Sequence, residues 1–151
     1  MAILRVETVV KKRKMENTIK DLLIAVPYRD RANHLEAFLK NSPKYFDSQK
    51  ITYDILLCEL DSVGDWNAGL CINSIIDFLK DGKEYKWLYI HHVDVWPIEG
   101  DWVLPKENEA IHNLGDFGSC LLKLDDFLKV NGYCNSFWGW GGEDNELYNK
   151  L

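Results

Sequence analysis

The sequence predicts an α/β fold, a single domain whose mostly parallel sheet is flanked by helices. Three observations predict it. Short apolar runs alternate with stretches whose apolar residues recur at helical spacing. Polar clusters follow the strand-like runs, the position where open α/β sheets bind ligands beyond the carboxyl ends of their strands. The chain has 151 residues, 46% apolar and 13% aromatic, which supplies one real core and excludes a disordered chain.

The elements follow in order. Residues 1–19 read as an N-terminal arm or edge element, and residues 20–151 as the domain proper. "DLLIAVPYRD" is a short apolar run that stops at Pro27 and reads as a buried strand. "RANHLEAFLKN" puts Leu35, Phe38 and Leu39 on one helical face. "ITYDILLCELD" is a second strand with β-branched entry. "WNAGLCINSIIDFLKDG" is a helix, with Leu70, Ile72, Ile75, Ile76 and Leu79 as its apolar residues and Gly82 as its stop. "KWLYIHHVDVWP" is a third strand, ended by Pro97. "GDWVLPKENEAIHNLGD" reads as an irregular loop. "FGSCLLKL" is a fourth strand, "DDFLKVNG" a short helix with an acidic first turn, and "EDNELYNKL" a final helix. No internal repeat or low-complexity linker interrupts the series.

Charge and cysteine usage exclude several functions. The formal net charge is −6, unevenly spread: residues 1–50 hold eleven Lys/Arg against six Asp/Glu, the remainder seven against eighteen. A nucleic-acid binder is not built this way, and "KKRK", Lys11 to Lys14, reads as a solvated arm. No apolar run approaches the ~20 residues of a membrane span. The N-terminus lacks the apolar h-region and cleavage site of a signal peptide. The chain therefore reads as soluble and cytoplasmic, or as a domain cut from something longer. Cys58, Cys71, Cys120 and Cys134 form no CxxC pair and match no zinc spacing, so free thiols are expected.

Four clusters carry candidate chemistry. In "PYRDR", Arg29 and Arg31 directly follow a strand. They can grip a phosphate with forked hydrogen bonds beside helix-start amides, or they are solvated arginines next to an Asp30 helix cap. "ELDSVGDWN" follows the second strand. In "HHVDVWP", Asp94 lies late in an apolar strand, where a carboxylate is costly unless it meets a cation or donor. Strand alternation puts His92 on its face and His91 on the other. Carboxylate and imidazole together suit Mn²⁺ or a similar ion; the alternative is a strand end reaching water. "WGWGGED" is the sharpest signal. Gly139, Gly141 and Gly142 allow tight turning and close approach. The rings of Trp138 and Trp140 can pack on a sugar while Glu143 and Asp144 take its hydroxyl hydrogens, and such a carboxylate can serve as general base.

With these motifs in place the chain resembles the β-1,4-galactosyltransferases, glycosyltransferase family 7. "FWGWGGEDNELYNKL" is similar to that family's signature, and "VPYRDRANHLEAFL" to its Pro-aromatic-Arg-x-Arg segment. "WNAGLCIN" resembles its Phe-Asn-Arg-Ala segment, and "HVDVWP" its Asp-Val-Asp metal motif. "FGSCLLKLDDFLKVNGY" resembles the strand and helix before the signature. The similarity keeps this order over residues 20–151. It implies a GT-A-like, Rossmann-like fold and inverting transfer of galactose or a related hexose from a UDP-sugar to a sugar hydroxyl. It implies Pro27, Tyr28, Arg29, Arg31, Trp66 and Asn67 at the donor, and Trp140, Gly141, Gly142 and Glu143 at the acceptor. Asp144 would be the general base, with Glu143 beside it. Asp94, joined by His92, would hold Mn²⁺. The partners implied are a UDP-sugar and a carbohydrate acceptor, with no nucleic acid and no membrane segment.

Three departures stand out. His92 replaces the first acid of the metal motif, Ala68 replaces an arginine, and the segment around Asp116 and Phe117 is one residue short. The family also continues past the signature with a closing loop and with Met and His ligands. The alternative expectation is accordingly a non-catalytic sugar- or nucleotide-binding relative, or a fragment lacking that lid and those ligands.

Overall fold

Alternation along the second strand sets the architecture. Leu22, Ile24 and Val26 pack on one face of the sheet, Leu23 and Ala25 on the other, and all five are fully buried. A strand buried on both faces needs cover on both sides. In the computed structural model, which describes residues 3–11, 20–61, 64–79, 85–106, 109–112, 119–139 and 141–151, helices supply it. The elements are β1 (Ile3–Lys11), β2 (Lys20–Tyr28), α1 (Ala32–Ser48), β3 (Tyr53–Asp61), α2 (Ala68–Leu79) and β4 (Tyr85–Ile90). Then come β5 (Ile111–His112), β6 (Cys120–Lys123), α3 (Leu124–Lys129) and α4 (Glu143–Lys150). Phe38 and Phe46 of α1 fill one core. Ile72 and Ile75 of α2, Phe127 of α3 and Leu147 of α4 fill the other.

The sheet order is β1-β3-β2-β4-β6-β5. The centre, β3-β2-β4, is parallel, as the sequence predicts, and its carboxyl ends share one edge. The flanks are antiparallel: β1 on β3, β6 on β4, and β5 on β6. The fourth predicted strand therefore runs opposite to the third, and α3 turns the chain back before the glycine-rich segment. Residues 3–11 form an edge strand along β3, while Lys12 to Lys14 lie outside the described residues, as do Gly82 and the Asp116–Phe117 segment.

Helix α1 and the loop after Pro97 depart from expectation. α1 does not stop at Asn41 but continues through Pro43 to Ser48. Proline disfavours a helix interior. Here Phe46, fully buried against Tyr53, Tyr89 and Trp102, holds the helix beyond it. The long loop after Pro97 contains β5, too short to leave a periodic signature. All four cysteines are free, as expected.

Candidate active site

The parallel centre brings the segments after β2, β3 and β4 to one edge. "PYRDR" is the hub, and its two guanidiniums reach different loops. Arg29 donates from Nη1 to the carbonyls of Gly64 at 3.0 Å and Asp65 at 3.5 Å. Its guanidinium lies 5.3 Å from the centroid of the Trp66 ring, a cation–π contact. Arg31 donates from Nη1 to Asp94 Oδ2 at 2.7 Å. Asp30 between them takes a φ of 53° and does not cap α1, whose N-cap is Arg31 with no side-chain cap bond. Pro27 is buried at the end of β2 and Tyr28 is half-buried beside it.

The loop after β3 is tied to the glycine-rich segment. The Gly139 N–H donates to the Trp66 carbonyl at 2.7 Å. Asn67 is fully buried. Its Oδ1 accepts from the Leu70 N–H at 2.7 Å, capping α2, and its Nδ2 donates to the Asn135 carbonyl at 2.9 Å. Asn67 thus positions the site and does not face it. Asn73, one and a half turns further along α2, was not singled out by sequence reasoning. Its Oδ1 accepts from the Tyr133 N–H at 2.9 Å, while its Nδ2 donates to the Tyr133 carbonyl at 2.8 Å and to Asn135 Oδ1 at 2.7 Å. A polar residue inside an apolar helix pattern is the signal that marks it.

The third cluster departs from the strand expectation. β4 ends at Ile90, and Asp94 sits in a turn, exposed and paired with Arg31. Strand alternation therefore does not relate His92 to Asp94, and burial does not explain the carboxylate. The reason is local: the His91 N–H donates to the Ala25 carbonyl at 3.0 Å, one residue past the strand, and although β2 runs on to Tyr28 against β3, its Pro27 has no N–H to continue the pairing with β4. His91 packs 4.8 Å from Tyr89 in a stack and edge-on to Phe38. His92 is half-buried, and its Nε2 is buried with no hydrogen-bond partner among the described residues. An imidazole nitrogen without a partner and a carboxylate held by an exchangeable surface ion pair are donors a divalent cation accepts. Among the described residues, however, no group of three His, Cys, Asp or Glu side chains suited to a metal occurs.

In the fourth cluster the glycines have a conformational cause. Gly139, Gly141 and Gly142 take φ values of 90°, 95° and 99°, a region side chains other than glycine rarely adopt. A Cβ on Gly142 would also lie 2.8 Å from the Phe137 ring. Gly142 is the N-cap of α4, which places Glu143 and Asp144 in the first turn. Glu143 Oε2 is buried with no hydrogen-bond partner among the described residues. Asp144 Oδ1 accepts from the Tyr133 hydroxyl at 3.3 Å. Trp138 is exposed, and Trp140 lies outside the described residues.

Arg29 therefore meets the loop after β3 through Gly64, Asp65 and the Trp66 ring, and the Trp66 carbonyl takes the Gly139 N–H of the glycine-rich segment. A family model described as the N-terminal region of glycosyl transferase group 7 matches residues 11–104. The chain belongs to glycosyltransferase family 7. A second model, the N-terminal domain of galactosyltransferase, covers residues 109–151, including Glu143 and Asp144. Human beta-1,4-galactosyltransferase 4 is 31% identical, with 85% of this chain and 42% of the relative covered. Human beta-1,4-galactosyltransferase 3 is 29% identical, over 85% of this chain and 36% of its own. This family 7 chain thus spans less than half the length of these relatives. Among solved structures it resembles a Drosophila beta-1,4-galactosyltransferase 7 mutant in complex with manganese, UDP-Gal and xylobiose. The TM-score is 0.77 at 23% identity, covering 87% of this chain and 60% of that one. The catalytic domain of the same enzyme with xylobiose matches with a TM-score of 0.75. The GT-A-like fold is thereby shown. Among the described residues, no helix is long and apolar enough to cross a membrane.

Proposed function

We propose that residues 20–151 form an inverting UDP-hexosyltransferase domain, with galactose or a related hexose as the group transferred to a sugar hydroxyl. The observation that carries this reading is the junction at Trp66. Its ring lies under Arg29 of the donor cluster, and its carbonyl takes the Gly139 N–H of the acceptor cluster. One residue thus couples the two halves a transferase needs.

The residues divide the work. Arg31, exposed at the start of α1, meets the diphosphate. Arg29 and Tyr28, with Pro27 and Asn67 behind them, shape the donor side around Trp66. Asp94 and His92 would hold a divalent cation such as Mn²⁺, which when bound neutralises charge on the departing diphosphate. Asp94 can serve a cation only by releasing Arg31, and that exposed pair holds by no more than about 1 kcal/mol. Gly141, Gly142 and Trp140 receive the acceptor sugar. Glu143 Oε2, without a hydrogen-bond partner among the described residues, accepts from one of the sugar's hydroxyls. Asp144 takes the proton of the attacking hydroxyl as its oxygen bonds the anomeric carbon. The bond from that carbon to the diphosphate breaks, and UDP leaves with the electron pair.

Calorimetric titration of UDP with and without Mn²⁺, beside Asp94→Ala, tests the donor half. Mn²⁺-dependent binding lost in the variant is expected. Binding that ignores both Mn²⁺ and the substitution, with no transfer from any UDP-hexose, would replace the transferase by a non-catalytic binding relative.

A further inference from the structure

We infer that Tyr133 is a positioning residue for the proposed base: its hydroxyl, donated to Asp144 Oδ1, holds that carboxylate in one orientation toward the acceptor. The inference rests on the reading of Asp144 as the base, but its geometric support is independent. Tyr133 is 5% exposed, and every part of it is fixed by a different neighbour. Its N–H and carbonyl are both held by the Asn73 amide. Its Cβ sits against Gly69 so closely that a Cβ there would approach to 2.8 Å. Its ring packs edge-on to Phe127 at 6.1 Å. The hydroxyl is the one polar group of this side chain, and it is donated to Asp144 at 3.3 Å.

The other end of the pair is held in the same frame. Lys150 Nζ at the end of α4 donates to the Gly132 carbonyl at 2.5 Å, and Glu146 Oε2 accepts from the Cys134 N–H at 3.1 Å. Helix α4 is thus bound back onto residues 132–134, so Tyr133 and Asp144 cannot drift apart independently. A tyrosine needed only for packing would be served by its ring alone. The hydroxyl fixes the carboxylate rotamer and favours its ionised form, the form a base requires. Cys120 on β6 and Tyr148 on α4 also sense the Asp144 charge, and Glu143 and Glu146 share its helix. Burial pushes the Cys120 thiol up to about 11, with the Asp144 charge adding to it, and burial raises Tyr148 as well. Both are neutral near pH 7, and Glu146 is paired with Lys150 at 3.1 Å.

Tyr133→Phe removes one oxygen and keeps the ring, so its fold is checked simply by its thermal melt. Two readouts are taken. The first is titration of the Asp144 side-chain carboxyl by ¹³C NMR, assigned with Asp144→Asn. Loss of the donor moves the midpoint to higher pH. The second is transfer kinetics: kcat falls about three- to tenfold with KM unchanged, and the acid limb of the kcat/KM profile moves up with the carboxyl. An upward NMR shift supports the pairing even if the wild type transfers nothing, in which case the transferase reading alone fails. An unmoved titration curve overturns the inference even if the wild type is active.

Discussion

The two halves of the proposed site are built differently. The proposed donor half rests on exposed and half-buried side chains that hold one another across loops: Arg31 on Asp94, and Arg29 on Gly64 and Trp66. The proposed acceptor half rests on a more buried frame: Asn67 before α2 and Asn73 within it, Tyr133 wedged against Gly69, and α4 tied back through Glu146 and Lys150. Exposed ion pairs contribute little and are readily exchanged. Buried amides that satisfy backbone groups are costly to disturb. The contrast suits a half that must trade partners as a charged donor and cation arrive, and a half that must hold a base still.

Substitutions can break or sharpen this contrast. The largest effect belongs to the base. Asp144→Asn is expected to lower transfer on the order of 10²–10⁴-fold while UDP affinity by calorimetry stays near wild type. A variant that kept full activity would remove the base from the acceptor half altogether. Next comes the frame. Gly132 has a φ of 63°, and a Cβ there would lie 2.2 Å from Asn73 Oδ1, which already binds Tyr133. Gly132→Ala should cost about 2–4 kcal/mol, read as a lower urea midpoint at constant slope. A midpoint within error of wild type would show the frame to be soft. Asn67→Ala should cost about 1–2 kcal/mol by the same measurement, from the lost α2 cap and the freed Asn135 carbonyl. Arg31→Ala is the smallest in stability, under about 1 kcal/mol, yet UDP should bind about tenfold more weakly. Should Arg31→Ala destabilise the protein as much as Gly132→Ala does, the donor half would be structural and the contrast would collapse.

How much of this was legible depended on how local each cause is. "DLLIAV" and "ITYDILLCEL" announced buried parallel strands because both faces of each carry apolar residues. "WGWGGED" announced a tight turn, and three positive φ values supplied the reason. Asp94 was placed in a strand because "WLYIHHVDV" keeps strand-like residues beyond the point where pairing stops. The end of a strand is decided by its neighbour, and Pro27 of β2 offers β4 no N–H. The antiparallel β6 was invisible for a similar reason: an apolar tetrapeptide such as "CLLK" carries no sign of its direction. Asn73 and Tyr133 were passed over because their partners lie 60 positions away in the chain.

By itself, then, the sequence determined the alternation of strands and helices, the free thiols, the glycine turn with its two carboxylates, and the family. Each of these depends on neighbours within a few residues or on a motif read as a string. Tertiary structure alone decided the direction of the flanking strands, the pairing of Arg31 with Asp94, and the fastening of Asp144 to Tyr133. These depend on which side chains meet once the sheet is assembled, and burial and long-range hydrogen bonding, not local preference, set those meetings.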